Sequence, residues 1–315
     1  MNSRIALLST ALDSTNDGDS IIYASVLREV PELAHVPAIP THRTPTGTEL
    51  QTADSAQILV VTGSNILTGK AGHDRQWPLT ERELAAYENK VVFLGVGWRE
   101  YEADTTEGGT RLKRLMHPQV PVSARDAHTL QILARMDIAA VDTGCPTMWS
   151  LPSVVQTPGA RDECVATLTD YRPDLLRDQF MIRVLARHYR LVHIWPQSAN
   201  DLEKLTKMWL PSNVRIADRG LDSLDALLLD RDYVGTRLHA GVRAMQLGSP
   251  AIVISVDNRA REIALSTGLP VLRRSADVRQ LRLALRQPSK VELSIPHRSI
   301  SDWLTSFRSL IHQSL

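Results

Sequence analysis

A chain of 315 residues, 43% of them hydrophobic and 23% charged, is long enough for two domains of about 150 residues with full cores. Its formal net charge of +1 does not indicate a nucleic-acid partner, because basic binding surfaces usually raise the charge well above zero. No stretch approaches the roughly 18 apolar residues of a membrane span. Two cysteines are too few for a disulfide framework. We therefore expect a cytoplasmic protein with buried, reduced thiols.

Short apolar runs bounded by Gly, Pro, Asp or Asn recur along the chain without the alternation of a half-exposed strand. Such runs are typical of strands buried on both faces of a parallel sheet. They occupy residues 5–8, 58–62, 91–96, 138–141, 165–168, 191–195, 233–235 and 251–256. Helical patterns lie between them, for example after Asp19, after the candidate N-cap Asp126 and from about Ser223. This alternation predicts an α/β protein with doubly wound halves.

Prolines and a glycine punctuate residues 144–160, so we place a domain boundary near residue 158. The prediction is two Rossmann-like domains, residues 1–158 and residues 159–315. Apolar residues at helical spacing over residues 299–315, including Trp303 and Phe307, predict an amphipathic terminal helix that packs on the body of the protein. We assign this helix to the second domain. The many arginines between residues 259 and 286 are interpreted as a solvated face.

The strongest candidate for chemistry follows the predicted strand at residues 233–235, where Arg237 and His239 begin a predicted helix. In doubly wound folds, ligands bind at the carboxyl ends of strands. Helix N-terminal amides and the planar fork of Arg237 favour an anion there. His239 can carry a proton near neutral pH. An Arg paired with a carboxylate and a His satisfied in the core explain the same two residues equally well.

Two further clusters of small and polar residues also follow predicted strands. Asn16 and Asp19 suit an anion or a ligand hydroxyl, and simple N-capping by Asp19 or Asp17 is the alternative. Gly63, Ser64 and Asn65 form a predicted turn whose amides can approach a phosphate, and a tight turn without a ligand is the alternative.

Arg125 lies at another predicted strand end, next to the candidate N-cap Asp126. It either points toward a ligand or forms a plain ion pair with that aspartate. No motif for a metal site is present, and the ten histidines are scattered along the chain. We therefore expect no bound metal.

Taken in order, these pieces resemble the polysaccharide pyruvyl transferase family. The motifs that carry the resemblance are Asn16-Asp17-Gly18-Asp19, Thr62-Gly63-Ser64-Asn65, Ser123-Ala124-Arg125-Asp126, Trp195-Pro196-Gln197-Ser198, Gly235-Thr236-Arg237-Leu238-His239-Ala240 and Asp257-Asn258-Arg259. The chain departs from the family at Cys145, where the family often has Asp before Pro146. It also departs at Arg259, which stands in the place of a usual Lys.

The resemblance implies a GT-B-like fold with two domains facing across a cleft. It also implies transfer of the pyruvyl unit of phosphoenolpyruvate onto two hydroxyls of a sugar or glycan, with release of phosphate. His239 would then be the general acid, and Arg237 would stabilise the leaving phosphate. The implied donor-binding residues are Gly63, Ser64, Asn65, Arg125, Arg237 and Leu238, and the implied acceptor-binding residues are Asn16, Asp19 and Gln197. No cofactor is expected, because two arginines neutralise the donor.

Two other functions remain open on the sequence alone. One is a GT-B-like glycosyltransferase that uses a nucleotide sugar, with Asp257 or Glu262 holding the ribose. The other is a non-catalytic protein of the same fold that binds a sugar or an anion. Binding of a uridine nucleotide instead of phosphoenolpyruvate distinguishes the first, and the absence of phosphate release distinguishes the second.

Overall fold

A computed structural model describes residues 4–69, 77–99, 106–275 and 278–313 of the chain. The chain divides into two compact units. Unit 1 comprises Met1–Ser14, Ile22–Trp149 and Pro296–Leu315, and unit 2 comprises Thr15–Ile21 and Ser150–Ile295. Within the described ranges, none of the helices combines the length and the apolar character that crossing a bilayer requires.

Unit 1 is built on a six-stranded parallel sheet in the order β2-β1-β3-β4-β5-β6. Its strands are β1 (Ile5–Ser9), β2 (Ala38–Pro40), β3 (Ile58–Leu67), β4 (Val91–Trp98), β5 (Val122–Ala124) and β6 (Ala140–Asp142). Its helices are α1 (Asp17–Glu29, whose first residues belong to unit 2), α2 (Gly47–Ser55), α3 (Glu81–Tyr87), α4 (Thr106–Leu115), α5 (Ala127–Arg135) and the terminal helix α12 (His297–His312). Every residue of β1 and of β4 is buried, as the lack of alternation predicted.

Unit 2 contains a second six-stranded parallel sheet, in the order β10-β9-β8-β11-β12-β13. Its strands are β8 (Glu163–Thr167), β9 (Leu191–Ile194), β10 (Val214–Ile216), β11 (Asp232–Gly235), β12 (Ala251–Ser255) and β13 (Val271–Arg273). A small antiparallel pair joins β7 (Val154–Gln156) to β14 (Lys290–Glu292). The helices are α6 (Leu175–His188), α7 (Ala199–Thr206), α8 (Leu221–Leu228), α9 (Leu238–Gln246), α10 (Asn258–Thr267) and α11 (Val278–Arg286). This strand order is that of the Rossmann fold.

The division into units corrects the predicted domain ranges in two places. The chain enters unit 2 at Ser150, before the predicted boundary at residue 158, because β7 pairs with β14 of that unit. The terminal helix α12 belongs to unit 1, whereas the sequence assigned it to the second domain. There, the indole Nε1 of Trp303 donates a hydrogen bond to the backbone oxygen of Pro121 at 2.8 Å.

The apolar face of α12 is expected to contribute strongly to stability. Phe307 is fully buried, and its ring stacks on Trp303 with the centroids 5.2 Å apart. We expect Phe307→Ala to lower the free energy of unfolding by about 3–5 kcal/mol, because the shorter side chain loses these contacts and leaves a cavity. Urea unfolding measures the change. Ser301→Ala, at an exposed position of the same helix, should stay within about 0.5 kcal/mol of the unmodified protein. Equal stability of the two variants would contradict the structural role.

Candidate functional site

The strand order of unit 2 reverses between β8 and β11, which are adjacent parallel strands. In open α/β sheets, ligands bind outside the carboxyl ends of the strands at such a reversal. Thr167 ends β8, while Thr236 and Arg237 follow β11 directly. The predicted pair Arg237 and His239 therefore lies at the position where this fold class binds ligands.

A network of three hydrogen bonds, two of them to the backbone of Arg237 itself, holds this backbone in place. Its N–H donates to the Thr167 hydroxyl at 3.1 Å, and its carbonyl accepts from the Tyr233 hydroxyl at 2.6 Å. The two hydroxyls are themselves 2.6 Å apart. Since the Tyr233 proton is already engaged, the Thr167 hydroxyl donates the third bond to the Tyr233 oxygen. Burial raises the pKa of Tyr233, which keeps this phenol protonated and able to donate.

The side chain of Arg237 is 5% exposed and is held by two carboxylates. Its Nε donates to Asp201 at 3.0 Å, and its Nη2 donates both to Asp201 and, at 2.9 Å, to Asp170. This is the carboxylate pairing that the sequence left open beside ligand binding. Nη1 makes no hydrogen bond to any described residue. The planar fork is thus fixed by one edge, and its remaining N–H groups are available to an anion.

Asp201 is fully buried and accepts four hydrogen bonds through its carboxylate. Two come from Arg237, one from the backbone N–H of Asp170 at 2.9 Å and one from the backbone N–H of Gln197 at 3.1 Å. Burial raises the pKa of Asp201, whereas Arg237 opposes that shift. Because all four contacts come from N–H donors, the geometry fits the ionised carboxylate. Asp201 therefore positions Arg237.

A second arginine lies close to the first. Arg237 and Arg259 both lie over the ring of Tyr171, with the guanidinium carbons 5.1 and 5.2 Å from the ring centroid. Arg259 also donates to the Tyr171 hydroxyl at 2.5 Å and to Asp257 at 2.6 Å through Nη2. Burial lowers the pKa of Arg259, but Tyr171 and Asp257 outweigh it and keep the guanidinium charged. Arg259, which the sequence analysis named only as a departure from the family pattern, thus lies in the same cluster as Arg237.

The N-terminus of α9 differs from those of four other helices of the chain. Arg237 is its N-cap residue, with an extended backbone and no side-chain hydrogen bond to the first amides of the helix. By contrast, side chains cap α5, α6, α7 and α10, and these residues are Asp126, Asp174, Ser198 and Asp257. A helix N-terminus presents the positive end of the helix dipole, which favours an anion. This end of α9 lies at the carboxyl end of β11.

His239 is the second residue of α9 and is 8% exposed. A shared orientation of Arg237 and His239 requires an extended backbone through both residues. The structure shows that the helix already begins at Leu238, so Arg237 and His239 do not lie on one extended segment. The joint action of Arg237 and His239 on one ligand stays a prediction. The acid role of His239 and the donor contact of Leu238 stay predictions.

The predicted acceptor residues Asn16 and Gln197 contact each other within unit 2. The Gln197 Nε2 donates to the Asn16 Oδ1 at 2.7 Å, and the backbone N–H of Asp17 donates to the backbone oxygen of Gln197 at 2.9 Å. Gln197 is 4% exposed, and its Oε1 has no partner among the described residues. Asp19 lies in the same segment, close enough to Arg259 to raise the pKa of that guanidinium. The structure thus groups Asn16, Gln197 and Asp19 with the arginine cluster of unit 2.

Gly18 allows this close approach. A Cβ atom at residue 18 would lie 2.6 Å from the Gln197 Nε2 and 3.2 Å from the Asn16 Oδ1. We expect Gly18→Ala to displace the Gln197 amide and to cost about 0.5–1.5 kcal/mol of stability, the usual contribution of one hydrogen bond. Thermal unfolding measures this loss. Gly47→Ala is the matched control, because residue 47 also lies at a helix start but a Cβ there meets no atom within 4 Å. A Gly18→Ala protein as stable as Gly47→Ala would contradict the claim that Gly18 is needed for the close approach of Gln197.

The predicted turn of Gly63, Ser64 and Asn65 is part of a strand in the structure. β3 continues to Leu67 and pairs with β4 on both sides of an irregularity that follows Ser64. Gly63 and Ser64 adopt φ angles of 81° and 79°, a left-handed conformation that is unusual for serine. The predicted turn is therefore an irregular part of a strand that β4 fixes by backbone pairing, and the donor roles of Gly63, Ser64 and Asn65 stay predictions.

Arg125 is 3% exposed and contacts two neighbours in unit 1. Its Nε donates to Asp126 at 3.0 Å and its Nη2 donates to the Asn65 Oδ1 at 3.0 Å. Gly97 makes room for the guanidinium, since a Cβ there would lie 2.2 Å from the Arg125 Nε. Asp126 also caps α5, as predicted. The structure therefore brings Arg125 and Asn65 together in unit 1, while Arg237 lies in unit 2. The donor roles of the unit 1 residues stay predictions.

Three residues of the arginine cluster escaped sequence reasoning, and they are Asp170, Tyr171 and Asp201. One available signal was the pattern Ser198-x-x-Asp201, because a Ser or Thr followed three positions later by an acidic residue is typical of a helix N-terminus. The Ser198 hydroxyl does accept a hydrogen bond from the Asp201 N–H at 3.1 Å. Among the described residues, no group of three His, Cys, Asp or Glu is placed to hold a metal ion. Both cysteines are free and buried, as predicted.

Comparisons with known proteins give both a family and a fold. The model of the polysaccharide pyruvyl transferase family matches residues 16–258. No curated protein matches the sequence. The UDP-GlcNAc 2-epimerase of Methanocaldococcus jannaschii, solved with UDP-GlcNAc and UDP, is 13% identical with a TM-score of 0.59, over 99% of this chain and 100% of that chain. The UDP-N-acetylglucosamine 2-epimerase of Rickettsia bellii is 10% identical with a TM-score of 0.55, over 98% of this chain and 94% of that chain. These structures show the fold alone, which is GT-B-like as predicted.

Proposed function

Because the chain belongs to the polysaccharide pyruvyl transferase family, we propose that it transfers the pyruvyl unit of phosphoenolpyruvate to two hydroxyls of a sugar or glycan. Family membership makes the protein a transferase, and the donor and acceptor are parts of the proposal. The observation that carries it is the uncapped N-terminus of α9 beside Arg237 at the strand-order reversal of unit 2. We also propose a cytoplasmic location, which suits two buried free thiols.

The phosphate of the donor is proposed to lie at the first turn of α9. The amides of that turn and the Nη1 of Arg237 would donate to its oxygens. Asp201 and Asp170 hold the other edge of the guanidinium, so little side-chain freedom is lost when the donor binds. The same contacts strengthen as negative charge develops on the departing phosphate.

The proposed reaction begins with a proton added to the methylene carbon of phosphoenolpyruvate, which leaves positive charge on the adjacent carbon. We assign this proton to His239 in its imidazolium form. One sugar hydroxyl then bonds to that carbon, and its proton returns to the imidazole. The carbon–oxygen bond to phosphate breaks, and the second hydroxyl bonds to the same carbon and releases its proton to phosphate or solvent. The products are a cyclic pyruvate ketal and inorganic phosphate.

The acceptor is proposed to contact the segment that joins Asn16, Asp19 and Gln197. The buried Oε1 of Gln197, which has no partner among the described residues, is an acceptor suited to a sugar hydroxyl. Asn16 orients this amide through its contact with the Nε2. A hydroxyl bound by the Oε1 would also satisfy a buried polar atom.

The proposal is tested by incubating the protein with phosphoenolpyruvate and a panel of acceptor glycosides. Phosphate release and the mass gain of a pyruvate ketal on one acceptor are the expected results. Reactions without acceptor measure simple hydrolysis of the donor. Transfer from a UDP-sugar, with no use of phosphoenolpyruvate, would instead support the glycosyltransferase alternative. Absence of any product across the panel, with phosphoenolpyruvate left unbound, would reject pyruvyl transfer.

A further inference from the structure

A separate cavity of about 290 Å³ lies in unit 2, on the face of the sheet covered by α6 and α11. This volume is close to the lower end of the roughly 300–1,000 Å³ typical of small-molecule sites. Helix α6 contributes residues spaced three and four positions apart, which form one stripe along the helix. The lining consists of Arg177, Asp178, Phe180, Met181, Val184, Thr236, Ile254, Leu272, Arg273, Arg274, Ser275 and Leu281.

The lining separates into an apolar part and a cationic part. Apolar side chains from α6, β12, β13 and α11 form most of it, and Phe180 is 49% exposed although it is a large aromatic residue. The charged lining residues in the described part of the chain are three arginines and one carboxylate. That carboxylate, Asp178, is already paired with Arg274 and Lys204. Arg177 pairs at 3.2 Å with Asp174, which does not line the cavity. The cavity therefore offers apolar surface beside positive charge that its own acid does not neutralise.

Arg274 supplies a second and independent observation. Its side chain is 10% exposed, and its terminal nitrogens donate to Asp178 and to the backbone oxygen of Arg172, each at 2.5 Å. Its Nε is buried and has no acceptor among the described residues. Buried N–H groups normally have a partner in the folded protein. A ligand oxygen in the cavity is the acceptor that this group lacks.

We propose that the cavity binds a small amphiphilic anion, that is, an apolar chain or ring that carries one phosphate or carboxylate group. The apolar part contacts Phe180, Met181 and Val184. The anionic group accepts from the Nε of Arg274 and pairs with Arg273, which is exposed at the end of β13. Binding at this cavity requires neither phosphoenolpyruvate nor a sugar, so it is independent of the proposed reaction.

Octyl phosphate is a probe that carries both features, and calorimetry with the full chain measures its binding. We expect saturable binding of octyl phosphate at one site. Octanol lacks the anionic group and inorganic phosphate lacks the apolar chain, so each should bind at least about tenfold more weakly. Arg273→Gln should weaken octyl phosphate about tenfold through the loss of one charged contact. Val184→Phe should prevent binding by filling the apolar part of the cavity.

Arg187→Gln is the matched control, because it removes a charge from an exposed position of the same helix that does not line the cavity. It should bind octyl phosphate as the unmodified protein does. If Val184→Phe unfolds, the exposed Arg273→Gln variant and the three-probe comparison still decide the question. Absence of saturable octyl phosphate binding would overturn the proposal. So would octanol binding as tightly as octyl phosphate, or equal affinity in Arg273→Gln and Arg187→Gln.

Discussion

Arg237→Lys is expected to lower the turnover number for pyruvyl transfer by about a hundredfold or more, the usual cost of losing one donor to a developing oxyanion. Lys keeps the charge but presents no planar fork. Arg237 bonds Asp201 through two nitrogens, and its third nitrogen is free to donate to the phosphate in the proposed complex. The single ammonium nitrogen of Lys cannot make all of these contacts. Phosphate release at saturating donor and acceptor measures the effect.

The same substitution should also lower stability, because Asp201 is fully buried and loses part of its hydrogen bonding. We expect a loss of about 1–3 kcal/mol in urea unfolding. Arg243→Lys is a matched control on the same helix. Arg243 forms a two-nitrogen pair with Asp225, at 2.7 and 2.5 Å, outside the arginine cluster. Arg243→Lys should lose stability but keep turnover. Wild-type turnover in Arg237→Lys would show that the fork is not needed for catalysis.

Most of the strands that the sequence predicted are largely buried, although β6 is only half-buried. Each of the eight apolar runs overlaps a strand, from β1 at Ile5–Ser9 to β12 at Ala251–Ser255. Burial on both faces demands apolar residues at every position, so the run itself is the signal. The three-residue edge strands β2, β10 and β13 were not predicted, because their pairing with a neighbour depends on contacts that no short window of sequence contains.

The candidate site was predictable in position but not in its internal contacts. The carboxyl end of β11 could be identified because a strand followed by a helix start is a local pattern. The partner of Arg237 could not, since Asp201 lies 36 positions earlier and reaches it only through the order of the strands. Ser64 in unit 1 is another residue whose structure depends on a contact that the local sequence does not contain. A Thr-Gly-Ser-Asn sequence reads as a turn, and only pairing with β4 makes it a strand.

The assignment of His239 as the general acid makes a second large prediction. His239→Gln is expected to lower turnover by about 10²–10⁴-fold, the range that proton transfer by a positioned side chain contributes. Gln keeps a polar side chain of similar length but cannot deliver a proton. Donor binding should persist, because the proposed contacts to phosphoenolpyruvate come from Arg237 and the first-turn amides of α9. Asp201 and Asp170 hold the guanidinium of Arg237, so removing the imidazole should leave it in place.

Two measurements on each protein separate the possible roles of His239. Calorimetry gives the affinity for phosphoenolpyruvate, and phosphate release gives the turnover. His193→Gln is the control, because His193 is also largely buried in unit 2 but pairs with Glu163 at 3.2 Å, away from the arginine cluster. The acid role requires lost turnover with donor affinity retained in His239→Gln, and both values unchanged in His193→Gln. If donor affinity falls together with turnover, the imidazole holds the ligand. If turnover survives, another group supplies the proton to the methylene carbon.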